Sequence, residues 1–198
     1  MRLFCSLALA LFLGSACTLQ AADETSKKPA EAKAEDTTTV KLRDLSLTLP
    51  KSWSASDQQS QMRLATYFIP AAADKDKGEL AISTFAGGGG GIAPNLQRWI
   101  SQFDAAGRKA VVKKGKAGAN EYYIADISGT YQKSVGPPIL RKTEPAPNYR
   151  MLGVIVVLPS EEVYFLKLTG PDATVKAQAE TLRKSFGGKS EGEEDFEL

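Results

Sequence analysis

Two apolar segments near the C-terminus constrain the fold of this chain more than any other feature. Residues 151–158, MLGVIVVL, are apolar at consecutive positions, which is the pattern of a strand buried on both faces. Only four residues separate them from a second strand-like segment, VYFLKLT at 163–169. Such a short connection favours a β-hairpin. The sequence therefore predicts an antiparallel pair at the centre of a sheet.

Other strand patterns accompany this pair. Residues 45–49 alternate between leucine and a hydroxyl residue, which is typical of a half-buried strand, and Val40 and Leu42 indicate a short strand before it. The further strand-like segments are 62–69, 80–85, 111–118 and 121–132, the last two joined by a glycine-containing turn.

Two segments have apolar residues at helical spacing. The first contains Ile92, Leu96, Trp99, Ile100 and Phe103, and the second contains Val175, Ala179, Leu182 and Phe186. The order is thus strands, helix, strands, helix, with short hairpins between strands. This order predicts an α+β fold, a largely antiparallel β-sheet flanked by two main helices, in a single domain over residues 38–188.

The N-terminus has the pattern of a secretory signal peptide. Arg2 provides a positive charge, and the apolar run that follows is too short to cross a bilayer as a stable helix. Cleavage after Ala21 or after Ala16 fits the small residues there; an uncut anchor is the alternative. We expect an exported protein, periplasmic or secreted, with residues 1–21 removed and residues 22–37 forming a disordered linker.

A cysteine in this leader leaves lipid attachment open. Cys17 follows the apolar run, as a lipidated cysteine does. The bacterial attachment motif has Leu, Val or Ile three residues earlier, where this chain has Gly14. Contact with a membrane is therefore expected only if Cys17 is lipidated, which would make the protein a lipid-anchored accessory protein of the cell envelope.

Imidazole and thiol chemistry are missing from the predicted mature chain. The sequence has no histidine, and Cys5 and Cys17 both lie in the leader. This excludes a Ser-His-Asp triad, a cysteine nucleophile and zinc sites built on histidine and cysteine. A carboxylate- or lysine-dependent hydrolase or lyase remains as the alternative to a binding protein. No catalytic residue, cofactor or metal ligand is predicted; residues 74–78, DKDKG, begin like a calcium loop but lack its remaining ligands.

A run of five glycines, 87–91, leads into the first predicted helix. A phosphate-binding loop would need a lysine and a hydroxyl residue after the glycines, whereas this chain has Ile92, Ala93 and Pro94. Pro94 also removes one N–H donor. The run is therefore interpreted as a flexible connection, with a weak anion site at the helix N-terminus left open.

Charge is unevenly distributed along the chain. The net charge is +2, yet residues 38–188 carry 20 basic and 13 acidic side chains, whereas residues 189–198 carry one basic and five acidic. We expect residues 189–198 to form a disordered acidic tail that aids solubility. A weak preference of the basic body for anionic partners is the alternative interpretation. The basic stretch 108–116 has no interleaved aromatic residue, so nucleic acid is not an expected partner.

A proline-rich segment, 134–148, is the best candidate for a recognition surface. It is predicted to be a long irregular loop, and such loops in compact domains are often functional. The residues proposed to contact a partner there are Tyr131, Ile139, Leu140, Arg141, Lys142 and Tyr149.

Five stretches carry a resemblance to known proteins. They are LTLPKSW, MRLATYFIP, NLQRWISQF, PNYRMLGVIV and FLKLTGPDATV. Together they resemble an uncharacterised family of exported bacterial proteins, and the element order is similar to the PsbP-like fold of photosystem II extrinsic proteins and a Ran-binding import factor. The resemblance implies an α/β/α sandwich and a non-catalytic binding or assembly role with an unknown protein or envelope component. It assigns no functional residue.

Overall fold

A computed structural model describes residues 36–58, 60–72, 76–136 and 138–198, which belong to one compact unit. The predicted signal peptide, Cys17 and nearly all of the predicted linker lie outside the described residues. Within the described part of the chain, no helix has the length and apolar character needed to span a membrane.

The described elements follow the predicted order of strands, helix, strands, helix. The N-terminal half contains β1 (Thr37–Leu42), β2 (Leu45–Pro50), β3 (Ser54–Ala55), β4 (Ala65–Ile69), β5 (Gly78–Thr84) and α1 (Ile92–Ile100). The C-terminal half contains β6 (Lys109–Ala117), β7 (Asn120–Ser134), β8 (Thr143–Val157), β9 (Val163–Pro171), α2 (Asp172–Ala177), α3 (Ala179–Ser185) and β10 (Glu194–Asp195).

Eight of these strands form one sheet in which every neighbouring pair is antiparallel. The strand order is β10-β6-β7-β8-β9-β5-β4-β3, and β1 pairs with β2 as a separate hairpin. The predicted central hairpin is β8–β9, in which Val154 lies opposite Leu166. The α+β class and the antiparallel sheet are therefore confirmed.

Both faces of the sheet are covered by apolar packing, but by different elements. On the α2–α3 face, the β1–β2 hairpin and the two C-terminal helices bury side chains such as Leu47 and Leu182 against the strands. On the opposite face, here called the α1 face, Leu96 and Trp99 of α1 pack over β7, β8 and β9. Gly153 of β8 lies directly beneath the indole of Trp99. A residue with a side chain at this position would collide with the ring.

The last predicted helix is divided in two. At Gln178 the backbone has φ −100° and ψ 3°, so α2 ends at Ala177 and α3 begins at Ala179. Both helices still bury their apolar residues on the same sheet face, for example Val175 and Leu182. The apolar stripe that predicted one helix therefore also fits two short ones.

The segment 134–148 is largely a β-hairpin, so the prediction of an irregular loop was wrong. Strand β7 continues to Ser134 and β8 begins at Thr143, with a short 3₁₀ turn, Pro138–Leu140, between them. The part of β8 that precedes Tyr149 pairs only with β7, because the pairing of β8 with β9 begins at Tyr149. Proline is tolerated on such an edge, where a missing N–H donor breaks no ladder bond.

The acidic tail, residues 189–198, is packed against the domain, which corrects the prediction of disorder. Strand β10 pairs with β6, and its carboxylates meet Lys113 and Lys114 at 3.1 and 3.2 Å. Phe196 packs edge-on against Tyr123 with ring centroids 4.9 Å apart. Two of the acidic residues that suggested a solvated tail, Glu194 and Asp195, thus pair with lysines of β6.

Candidate functional site

A cleft of about 640 Å³ opens on the α1 face of the sheet. Its floor is formed by β4, β5 and β9, one wall by α1, and the other wall by the segment before β4. Alternation along each strand decides which side chains line it: in β9, Tyr164, Leu166 and Leu168 point to the opposite core, while Phe165 and Lys167 face the cleft.

One part of the cleft is aromatic. Phe85 and Phe165 contact each other with ring centroids 5.6 Å apart, and Trp99 meets Phe165 edge-on at 6.2 Å. Phe68 lies on the floor, and Met62 on the wall before β4 is 68% exposed. Phe85 is 37% exposed, so an aromatic surface faces the open space of the cleft.

A lysine lies at the other part of the cleft. Lys167 Nζ donates hydrogen bonds to Gln102 Oε1 at 2.6 Å and to Tyr131 Oη at 3.1 Å, and both acceptors are uncharged. Burial lowers the pKa of Lys167 to about 8; the positive charge of Arg63 also lowers the pKa, while Glu79 opposes this change. Within the described part of the chain, no carboxylate oxygen lies within 4.0 Å of Lys167 Nζ.

Two arginines complete the charge of the cleft. Arg63 Nη1 binds Glu79 Oε1 at 2.9 Å, so this pair is neutral. Arg98, on α1, donates to Asn95 Oδ1, which is uncharged. Together with Lys167 the cleft has three cationic groups and one carboxylate from the described residues.

The glycine run has a structural role beside the cleft. Gly87, Gly88 and Gly89 have φ between 65° and 73°, a left-handed conformation that glycine adopts without strain. The buried amide of Asn95 donates to the carbonyls of Gly89 and Gly91 at 2.9 and 2.5 Å, which fixes the turn against the start of α1. The run thus presents carbonyl oxygens to Asn95 and supports the wall of the cleft.

The six predicted partner-contacting residues separate into two groups. Tyr131 is buried at the base of the β7–β8 hairpin, where it packs against Phe103 at 5.1 Å and stacks on Tyr149 at 6.1 Å. The tip carries Ile139 and Leu140, which are 87% and 66% exposed. Arg141 has φ 47° at this tip, and Lys142 Nζ lies 3.8 Å from Glu144 Oε1. Tyr131 is therefore linked to the cleft through its hydrogen bond with Lys167. Partner binding by the residues at the hairpin tip stays a prediction.

A second ionisable cluster lies on the other side of the domain. The Glu193 side chain is only 3% exposed and accepts from Arg183 Nε at 2.8 Å and from Tyr122 Oη at 3.1 Å. Burial and the neighbouring Glu193 carboxylate raise the pKa of Tyr122 to about 12. This cluster attaches the C-terminal segment to the sheet and α3. In the ranges that the structure describes, no three Asp, Glu, His or Cys side chains come together as a metal site; Asp74 of the DKDKG segment lies outside those ranges.

Sequence reasoning did not identify Lys167, Arg63 or Glu79 as site residues. The available signal was a single lysine inside the apolar strand VYFLKLT, since an ionised side chain in a buried strand needs a special environment. That signal does not reveal the partners of the lysine, which come from other elements.

No protein-family model matches the chain, and no curated protein matches it. Among solved structures, the chain is similar to "Protein of Unknown Function PA94 from Pseudomonas aeruginosa, Putative Regulator", with 16% sequence identity and a TM-score of 0.44. The match covers 75% of this chain and 92% of that one.

Proposed function

We propose that this protein is a non-catalytic binding domain whose ligand occupies the cleft on the α1 face. The observation that carries the proposal is the open, aromatic-lined cleft over β4, β5 and β9. The volume of the cleft, about 640 Å³, lies within the range of roughly 300–1,000 Å³ typical of small-molecule sites. Exposed Phe85 and Met62 would be covered by a ligand there, which favours binding through burial of apolar area.

The charged groups of the cleft support binding over catalysis. Acid–base catalysis by Glu79 would need a carboxylate free to exchange a proton, but Glu79 is paired with Arg63 at 2.9 Å. The lysine-dependent alternative would have to use Lys167, whose ammonium already donates to Gln102 and Tyr131. These contacts hold Lys167 as a fixed hydrogen-bond donor, which suits recognition.

A neutral fluorescent probe and a cleft-filling substitution test the proposal. N-phenylnaphthylamine, which brightens in apolar sites, should bind the wild-type protein with saturation. Ala81→Trp places an indole on the cleft floor and should abolish this binding, as should Ser83→Trp. Ala110→Trp adds the same side chain at an exposed position of β6 and should leave binding unchanged.

Circular dichroism and thermal unfolding verify that each variant is folded. Saturable binding that persists in both folded cleft variants would show that the probe binds elsewhere. Absence of saturable binding by the wild-type protein would contradict a preformed apolar cleft.

We further propose that the domain acts in the bacterial cell envelope. This rests on the signal-peptide pattern of residues 1–21, and the proposed partner is an unknown envelope component or protein. Mass spectrometry of the protein recovered from a bacterial host should find a mature N-terminus at Ala22. A lipid-modified Cys17 would instead establish the anchored form, and an intact Met1 in the cytoplasmic fraction would contradict export.

A further inference from the structure

We infer that the ligand of the cleft is an amphipathic organic anion, with one acidic group against Lys167 and an apolar group against Phe85. This inference rests on the proposed function, because it concerns the same cleft. It adds the chemical class of the ligand and names the two side chains between which the ligand must extend.

The first support is the charge of the cleft. Arg63 is neutralised by Glu79, with 2.9 Å between Nη1 and Oε1. Among the hydrogen bonds of the described residues, Arg98 and Lys167 donate only to uncharged oxygens, those of Asn95, Gln102 and Tyr131. The cleft therefore has two cationic groups in excess, and an acidic ligand would balance part of this charge.

The second support is the environment of Lys167. An ammonium group removed from water is unfavourable unless a counter-ion or hydrogen bonds replace the lost hydration. Lys167 donates two of its three N–H bonds to uncharged acceptors, so one remains for a ligand. Burial also lowers the pKa of Lys167 to about 8, as expected for a cation without a close carboxylate. An acidic group in the cleft would supply the missing counter-ion.

The third support is the spacing of charge and apolar surface. Phe165 and Lys167 are two residues apart on the same face of β9, so their side chains leave the strand about 7 Å apart. Phe85 covers Phe165, with the two ring centroids at 5.6 Å, and is itself 37% exposed. A ligand that reaches both Lys167 and Phe85 thus needs an acidic group joined to a ring system or a short alkyl chain. Inorganic phosphate would satisfy only the charged part.

Two probes that differ by one acidic group test this inference. Anilinonaphthalene sulfonate and N-phenylnaphthylamine share the same ring system, and only the first is anionic. We expect the sulfonate to bind wild-type protein about tenfold more tightly, the effect of one charge-assisted hydrogen bond. Lys167→Met should remove this preference by weakening sulfonate binding about tenfold, while the affinity for the neutral probe stays the same.

Matched variants separate the charge effect from general damage. Lys167→Arg keeps the positive charge and should restore part of the preference, whereas Lys109→Met removes an exposed lysine of β6 and should change neither affinity. Inorganic phosphate at matched ionic strength should compete weakly with the sulfonate. Competition by phosphate as strong as that of an unlabelled naphthalene sulfonate would refute the apolar half of the inference.

The outcomes distinguish this inference from the proposed function. Equal affinity of both probes, unchanged by Lys167→Met but lost in Ala81→Trp, would overturn the anionic ligand and leave the cleft as a binding site. Sulfonate binding that survives in folded Ala81→Trp and Ser83→Trp would overturn both, because the probe would then bind outside the cleft.

Discussion

Replacing Lys167 with methionine should make the folded protein more stable at neutral pH. The folded protein holds this lysine with a pKa of about 8, whereas its ordinary value is 10.5. A lowered lysine pKa means that the unfolded chain binds the proton more tightly than the folded protein does. The wild-type protein therefore carries the full penalty below about pH 8 and loses it as the pH rises towards 10.5. Methionine has no charge to desolvate.

The magnitude follows from the two pKa values. The difference between 10.5 and about 8 corresponds to about 3 kcal/mol, at about 1.4 kcal/mol for each tenfold change in the proton equilibrium. Loss of the hydrogen bonds to Gln102 and Tyr131 offsets about 1 kcal/mol of this gain. We therefore expect the variant to be more stable by about 2 kcal/mol near pH 7, with a gain close to zero near pH 10.

Urea unfolding of both proteins at a series of pH values measures this difference. Among the described residues, the charged groups that face Lys167 are Arg63, Glu79 and Arg98, and the titratable but neutral group is Tyr131. All four are present in both proteins, so their titration largely cancels in the comparison. Lys109→Met, at an exposed site, should show no such pH-dependent gain. A stability difference that does not change between about pH 7 and pH 10 would refute the assignment of Lys167 as a desolvated cation.

Three further substitutions test the packing of the domain. Gly153→Ala should destabilise it by roughly 1–3 kcal/mol in urea unfolding, because the new methyl group collides with the Trp99 ring. Arg183→Ala should lower the free energy of unfolding by roughly 3–5 kcal/mol, since it leaves the buried Glu193 carboxylate without its cation; a loss below about 1 kcal/mol would contradict a buried pair. Ile139→Ser should leave the free energy of unfolding almost unchanged, within about 0.5 kcal/mol, because that side chain is 87% exposed; a large loss would mean that the tip packs against the domain.

Several elements of secondary structure were predictable from local signals. The consecutive apolar residues of 151–158 and the four-residue connection predicted the β8–β9 pair, and the structure contains it. The helix predicted from the apolar stripe that contains Leu96 and Trp99 was also confirmed as α1, since both residues face the sheet. Prediction failed where two distant segments meet. The acidic residues near the C-terminus looked solvated, but Lys113 and Lys114 of β6 pair with Asp195 and Glu194, and Tyr123 of β7 packs against Phe196.

The sequence by itself determined the α+β class and the antiparallel hairpins, because hydrophobic periodicity and connection length are properties of neighbouring residues. Only the tertiary structure decided where the cleft lies and which side chains line it. The environment of Lys167 comes from Gln102, 65 positions away, from Tyr131, 36 positions away, and from strands that join β9 only in the folded sheet. Desolvation and charge balance depend on every group that surrounds an atom, so they exist only after these distant segments have packed together.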